Sequence, residues 1–205
     1  MLAGPEALIP RRETEILGNT ALEILSNIAL SNPVIIDVCT GAGNIALAIA
    51  NKVSNCKIYA ADLSDDAVQL ASKNANFLNL SEKIDFFCGD LLEPLNTLGL
   101  ESTINLITCN PPYISSSKVS DMPTEISSFE PSLAFDGGAF GVNLIRRLIN
   151  DAHKFLANDG YLVFEVGLGQ AGIIGKQIEK SGLYQDINLY NDHDNNPRVI
   201  SAKKK

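Results

Sequence analysis

A chain of 205 residues with 45% hydrophobic and 20% charged side chains can bury one core and reads as a single domain. Its net charge of −8 and pI near 4.7 argue against a broad phosphate-binding face, and so against nucleic acid as the primary partner. No apolar stretch approaches the roughly 20 residues of a membrane span, and the N-terminus lacks the charged start of a signal peptide. The cysteines Cys39, Cys56, Cys88 and Cys109 show no CxxC spacing and each abuts an apolar run. They predict reduced, partly buried thiols in a cytoplasmic protein, with neither a metal site nor a disulfide set. The basic run Lys203-Lys204-Lys205 reads as a solvated tail.

From Thr14 to about Leu30 the residues Ile16, Leu17, Ala21, Leu22, Ile24, Leu25 and Ile28 recur at helical period, and Asn32-Pro33 stops the helix. Val34 to Val38 is a short apolar run, the pattern of a buried parallel strand. Gly41-Ala42-Gly43 makes a tight turn, and Asn44 to Lys52 returns to helix. A second strand covers Lys57 to Ala61 and ends at Asp62. Ser64 caps the next helix, with Asp65 and Asp66 in its first turn. Ile84–Cys88 and Ile104–Cys109 read as the third and fourth strands. A helix follows from Val142 to Leu156, closed by Asn158-Asp159-Gly160. Tyr161 to Val166 is a fifth strand and Gly169 to Lys180 a helix, with two last strands near Tyr184–Tyr190 and Arg198–Ala202. Seven strands alternating with helices predict an α/β fold, a mostly parallel sheet with helices on both faces.

In such sheets ligands lie beyond the C-terminal ends of the strands. Asp37, Gly41, Gly43, Asp62, Asp90 and Asn110 all fall at or just after such ends. Gly41 and Gly43 let a ligand approach the backbone, but Ala46 occupies the third glycine position of a pyrophosphate loop. Asp37 before that turn also disfavours a phosphate. Asp62 can accept both hydroxyls of a ribose, and Asp90 an adenine amino group. A phosphate-free nucleoside among carboxylates points to S-adenosylmethionine, whose sulfonium is positive. Asn110-Pro111-Pro112-Tyr113 then ends the fourth strand. Each proline removes a backbone N–H, Asn110 adds an acceptor and two donors, and Tyr113 adds an aromatic face. Such a corner suits a planar –NH2 group, whose two hydrogens need two acceptors.

These residues, with Leu8-Ile9-Pro10-Arg11, Thr14-Glu15, Phe129-Glu130-Pro131, Glu165-Val166-Gly167, Gln170 and Arg198-Val199, make the chain resemble the class I S-adenosylmethionine-dependent methyltransferases. More closely it resembles the HemK/PrmC-type glutamine N5-methyltransferases, which modify the Gly-Gly-Gln motif of peptide release factors. The resemblance covers nearly all of the chain. It implies a Rossmann-like sheet and S-adenosyl-L-methionine as cofactor, held by Arg11, Thr14, Asp37, Cys39, Thr40, Gly41, Gly43, Asn44, Asp62, Leu63, Asp90, Leu91 and Asn110. It implies catalysis at Asn110, Pro111, Pro112 and Tyr113, and acceptor contacts from Pro111, Tyr113 and Glu130. The implied partner is a release factor or another glutamine-bearing protein or peptide.

Three departures from the family pattern stand out. Cys39 replaces a glycine of the cofactor loop, and its small substituent is expected to be accommodated. Arg12 replaces a proline, and the chain begins almost at Leu8 without the family's helical N-terminal domain. Residues 1–32 therefore read as a leading segment and helix, and residues 33–205 as the methyltransferase domain. The shortened start leaves open a small-molecule or peptide amine or amide as acceptor. A nucleic-acid amino group is disfavoured by acidity and by Phe129-Glu130-Pro131. The loop from Ile114 to Ser128, with Ser115-Ser116-Ser117, suits a lid over the acceptor.

Overall fold

The computed structural model describes residues 1, 2, 4, 7, 11, 13–112 and 142–205. The expectations for Tyr113, Glu130 and the 114–128 loop lie outside these residues, as do those for Leu8-Ile9-Pro10 and Arg12.

The strands form one seven-stranded sheet in the order β3-β2-β1-β4-β5-β7-β6. In chain order the elements are α1 (Thr14–Ile28), β1 (Val34–Val38), α2 (Asn44–Lys52), β2 (Lys57–Asp62), α3 (Asp65–Phe77), β3 (Ile84–Cys88) and β4 (Ile104–Cys109). They continue with α4 (Asn143–Phe155), β5 (Leu156–Glu165), α5 (Ala171–Ser181), β6 (Tyr184–Asn191) and β7 (Pro197–Lys204). β1 pairs in parallel with β2 on one side and β4 on the other. β7 runs antiparallel between β5 and β6.

Alternation along β1 explains the two-sided cover. Ile35 packs with Leu17 and Ala21 of α1 and with Ile45 and Ile49 of α2. Ile36 and Val38 point the other way, toward Ile145 and Leu148 of α4 and Ile174 and Ile178 of α5. A strand buried on both faces has no polar side to show, so it reads as a continuous apolar run.

Three details depart from the sequence reading. Helix α1 ends at Ile28 because Ala29 turns left-handed (φ 47°), four residues before Pro33 can act. Pairing of β5 with β4 begins already at Leu156, then breaks: Ile104 faces Leu156, whereas Leu106 faces Tyr161. The intervening Asn158-Asp159-Gly160 bulges out, with Asp159 at φ 64°, so the predicted terminator acts inside the strand. Finally, Lys203 and Lys204 are no solvated tail but part of β7. Lys203 pairs with Asp159 at 2.7 Å, and Lys204 is buried with its Nζ donating to the Leu156 carbonyl at 2.6 Å. Charge run alone could not show that each lysine has a partner across the strand.

Candidate active site

The order of strands reverses between β1 and β4, and the crevice beyond their C-terminal ends is where a parallel sheet receives a ligand. The loop leaving β1 is held in an unusual backbone shape. Cys39, Gly41 and Gly43 have φ of 56°, 54° and 87°. Left-handed backbone explains why glycine suits position 39, and Cys39 takes it half-buried with its thiol against that of Cys109. Burial, reinforced by Cys39, pushes the Cys109 thiol up. At Gly43 a Cβ would come within 3.1 Å of Leu47 Cδ1 and 3.3 Å of Ala71 Cβ, so this glycine also permits α2 to pack.

Asp37 does not line the crevice. It is 1% exposed, and its Oδ2 and Oδ1 accept from the hydroxyls of Thr40 at 2.6 Å and Thr108 at 2.7 Å. Burial raises its pKa to about 6, against the opposing hydrogen bonds of Thr40, Thr108 and the Ala46 backbone. Its geometry is that of a brace fixing the loop from beneath. Thr108, directly opposite Asp37 in the β1–β4 ladder, was missed from sequence. Its only signal was a hydroxyl in the buried part of a mostly apolar strand.

Asp62 joins two loops at the end of β2. Its Oδ2 accepts from Gly41 N–H at 2.8 Å and its Oδ1 from Ser64 N–H at 3.0 Å. Each carboxylate oxygen keeps a lone pair, enough for a vicinal diol. Leu63 beside it is 56% exposed. Asn44, the first residue of α2, has a buried Oδ1 without a hydrogen-bond partner among the described residues. Orphaned acceptors of this kind call for a donor. A nucleoside with a cationic side chain brings both the diol and the donors, so the residues present fit S-adenosylmethionine.

Asp90 is placed differently from the sequence expectation. Its carboxylate turns toward α4, where Arg147 Nη2 lies 2.8 Å away, and Leu91 beside it is buried at φ 49°. Both line a surface cleft of about 210 Å³ with Glu93, Arg147 and Lys154. Arg11 is exposed at the entry to α1, where its carbonyl accepts from Thr14 N–H at 3.1 Å.

At the end of β4, Asn110 is half-buried, Pro111 buried and Pro112 half-buried. Asn110 Nδ2 donates to Thr14 Oγ1 at 3.2 Å, and Thr14 Oγ1 donates to Glu165 Oε2 at 3.0 Å. Arg198 Nη2 stands 3.9 Å from Glu165 Oε1. Thr14 thus contacts Asn110 directly, a link that spacing in the sequence could not reveal.

A family model describing RNA cap guanine-N2 methyltransferases matches residues 32–120, from the start of β1 to just past Pro112. Among solved structures, the hMettl16 catalytic domain in complex with MAT2A 3'UTR hairpin 6 superposes with a TM-score of 0.75 at 17% identity, covering 98% of this chain and 74% of that one. Ribosomal protein L11 methylase from Lactobacillus delbrueckii subsp. bulgaricus gives 0.67 at 18%, covering 97% and 82%. These likenesses establish the fold as that of the class I methyltransferases.

Curated relatives are nearer in sequence. The release factor glutamine methyltransferase of Thermodesulfovibrio yellowstonii is 37% identical over 91% of this chain and 63% of its own length. That of Rhodopirellula baltica is 34% identical over 96% and 66%. The chain therefore spans just under two thirds of the length of these relatives. That of Moorella thermoacetica is 32% identical over 98% of this chain and 69% of its own length. With that extent of match, the chain belongs to the release factor glutamine methyltransferase family.

Proposed function

We propose that this chain methylates the side-chain amide nitrogen of a glutamine in a peptide release factor, using S-adenosylmethionine. The observation that carries this reading is the Asn110-Pro111-Pro112 corner at the end of β4, the strand paired with β1, whose following loop is braced by Asp37 and Asp62. When bound, S-adenosylmethionine supplies an electrophilic methyl group on a positively charged sulfur. Asp62 binds the ribose hydroxyls, and Gly41 and Gly43 admit the ligand to the backbone.

An amide nitrogen is a weak nucleophile because its lone pair is delocalised. The protein contributes position more than basicity: Asn110 Oδ1 and the Pro111 carbonyl accept the two amide hydrogens and hold the nitrogen in line. Those same acceptors stabilise positive charge as it develops on nitrogen. Exclusion of water strengthens both hydrogen bonds.

The test is incubation with radiolabelled S-adenosylmethionine and unmethylated release factor, beside a release factor whose Gly-Gly-Gln glutamine is changed. Label confined to the intact motif is the expected result. Label on neither protein, while the cofactor binds, removes the release factor from this reading.

A further inference from the structure

We propose that Thr14 is a positioning residue which, anchored by Glu165, forces the carboxamide oxygen of Asn110 rather than its nitrogen to face the acceptor. This rests on the reading of Asn110 given above and deepens it. A carboxamide presents oxygen and nitrogen in nearly the same shape, so packing alone does not choose between its two orientations. The choice matters because only the oxygen can accept a hydrogen from an incoming –NH2 group; the Nδ2 group would oppose hydrogen with hydrogen.

Four separate chain segments supply the choice. A carboxylate can only accept. Glu165, 1% exposed at the end of β5, therefore takes the single hydrogen of Thr14 across 3.0 Å. Arg198 of β7, 3.9 Å from the other carboxylate oxygen, supplies the countercharge. With its hydrogen spent, Thr14 Oγ1 has only lone pairs left. Asn110 must meet it with Nδ2, at 3.2 Å. A flipped Asn110 would set its oxygen against the lone pairs of Thr14 and leave Nδ2 without this bond. A buried, unmade hydrogen bond of that kind disfavours the flip by about tenfold to a hundredfold. The arrangement is one-way: a donor-only direction runs from Asn110 through Thr14 to Glu165, and nothing in it can reverse while Glu165 is a carboxylate.

Thr14 was assigned to the cofactor on family resemblance. The geometry moves it to Asn110, since it is 6% exposed and, among the described residues, its hydroxyl bonds to Glu165 and Asn110. Glu165 and Arg198 gain a purpose that their distance from the crevice in sequence conceals.

The experiment compares Thr14→Val, which keeps shape and loses the hydroxyl, with Thr14→Ser and Glu165→Gln in the full chain. Three readouts are taken: the side-chain Nδ2 proton resonances of Asn110 by NMR, identified through Asn110→Asp; cofactor Kd by calorimetry; and kcat and KM on release factor. In Thr14→Val the hydrogen-bonded Nδ2 proton should move and exchange faster, while kcat falls about 10²-fold, as for a reacting group slightly misplaced. Cofactor Kd should stay unchanged, and Thr14→Ser should restore both the resonance and the turnover. Glu165→Gln can also donate, so Asn110 should show two amide populations.

Unchanged Asn110 resonances in Thr14→Val overturn the proposal. So does a loss of cofactor affinity with kcat intact, which would return Thr14 to the cofactor. Should Thr14→Val fail to fold, a single unaltered Asn110 population in Glu165→Gln overturns it equally. The resonances are read without any acceptor, so a wild-type protein inactive on release factor would sink the proposed function and leave this inference to be decided separately.

Discussion

Asn110 and Asp62 sit on neighbouring loops but should fail in different ways. Removing an acceptor that matters chiefly in the transition state lowers kcat, so Asn110→Ala is expected to lose about 10²–10³-fold in kcat with little change in cofactor Kd. Asp62→Ala removes the carboxylate that bridges Gly41 and Ser64; calorimetry should show weaker cofactor binding first. Asp37 makes a prediction about pH. Its pKa rises from an ordinary 3.8 to about 6 on folding, a change worth about 3 kcal/mol. With the folded value above the unfolded one, its contribution to stability is fully present below about pH 3.8 and lost as pH climbs through about 6. Urea melts between pH 4 and 7 should therefore show Asp37→Asn gaining on the wild type as pH rises. A constant gap between the two would mean that Asp37 keeps its ordinary acidity in the fold.

Among the elements, β1 and β4 were legible because central strands covered on both faces are mostly apolar. Ile35, Ile36, Leu106 and Ile107 are all fully buried. The cap at Ser64 was legible for a local reason, and its Oγ accepts from Ala67 N–H at 3.3 Å. What lay hidden depends on neighbours remote in sequence. Asn158-Asp159-Gly160 has the composition of a turn, and only the β4 partner shows that it bulges within a strand. The approach of backbone there is close: a Cβ on Gly160 would lie 2.8 Å from the Ile104 carbonyl and 3.0 Å from that of Ala157. Gly160→Ala should cost more than about 1 kcal/mol, as substitutions do where the backbone cannot accept them. Its denaturation midpoint should fall accordingly. The tie from Arg147 to Asp90 is exposed, and Arg147→Ala should cost under about 1 kcal/mol. Asp90 illustrates the limit of motif reading: its place after β3 was correctly located, but the arginine that claims its carboxylate comes from α4.

At the scale of the molecule, the parallel half of the sheet from β3 to β5 bears the Asp37–Asp62 loops and the Asn110 corner, while β7 and β6 extend it antiparallel. The acidity, net −8, was readable from composition alone. The strand order was not, because nothing in β6 or β7 says which of them lies against β5. That order has a consequence for how the chain is made. β6 is synthesised before β7, yet it joins the sheet only through β7. Until residues 197–204 have emerged, β5 presents a bare edge and β6 has no strand beside it, and open edges of this kind recruit other chains. A chain halted after Asn191 should therefore aggregate during synthesis, and should be rescued when a peptide spanning 192–205 is supplied. Failure of the peptide to restore soluble protein would mean that β6 finds its place without help from the strand that divides it from β5.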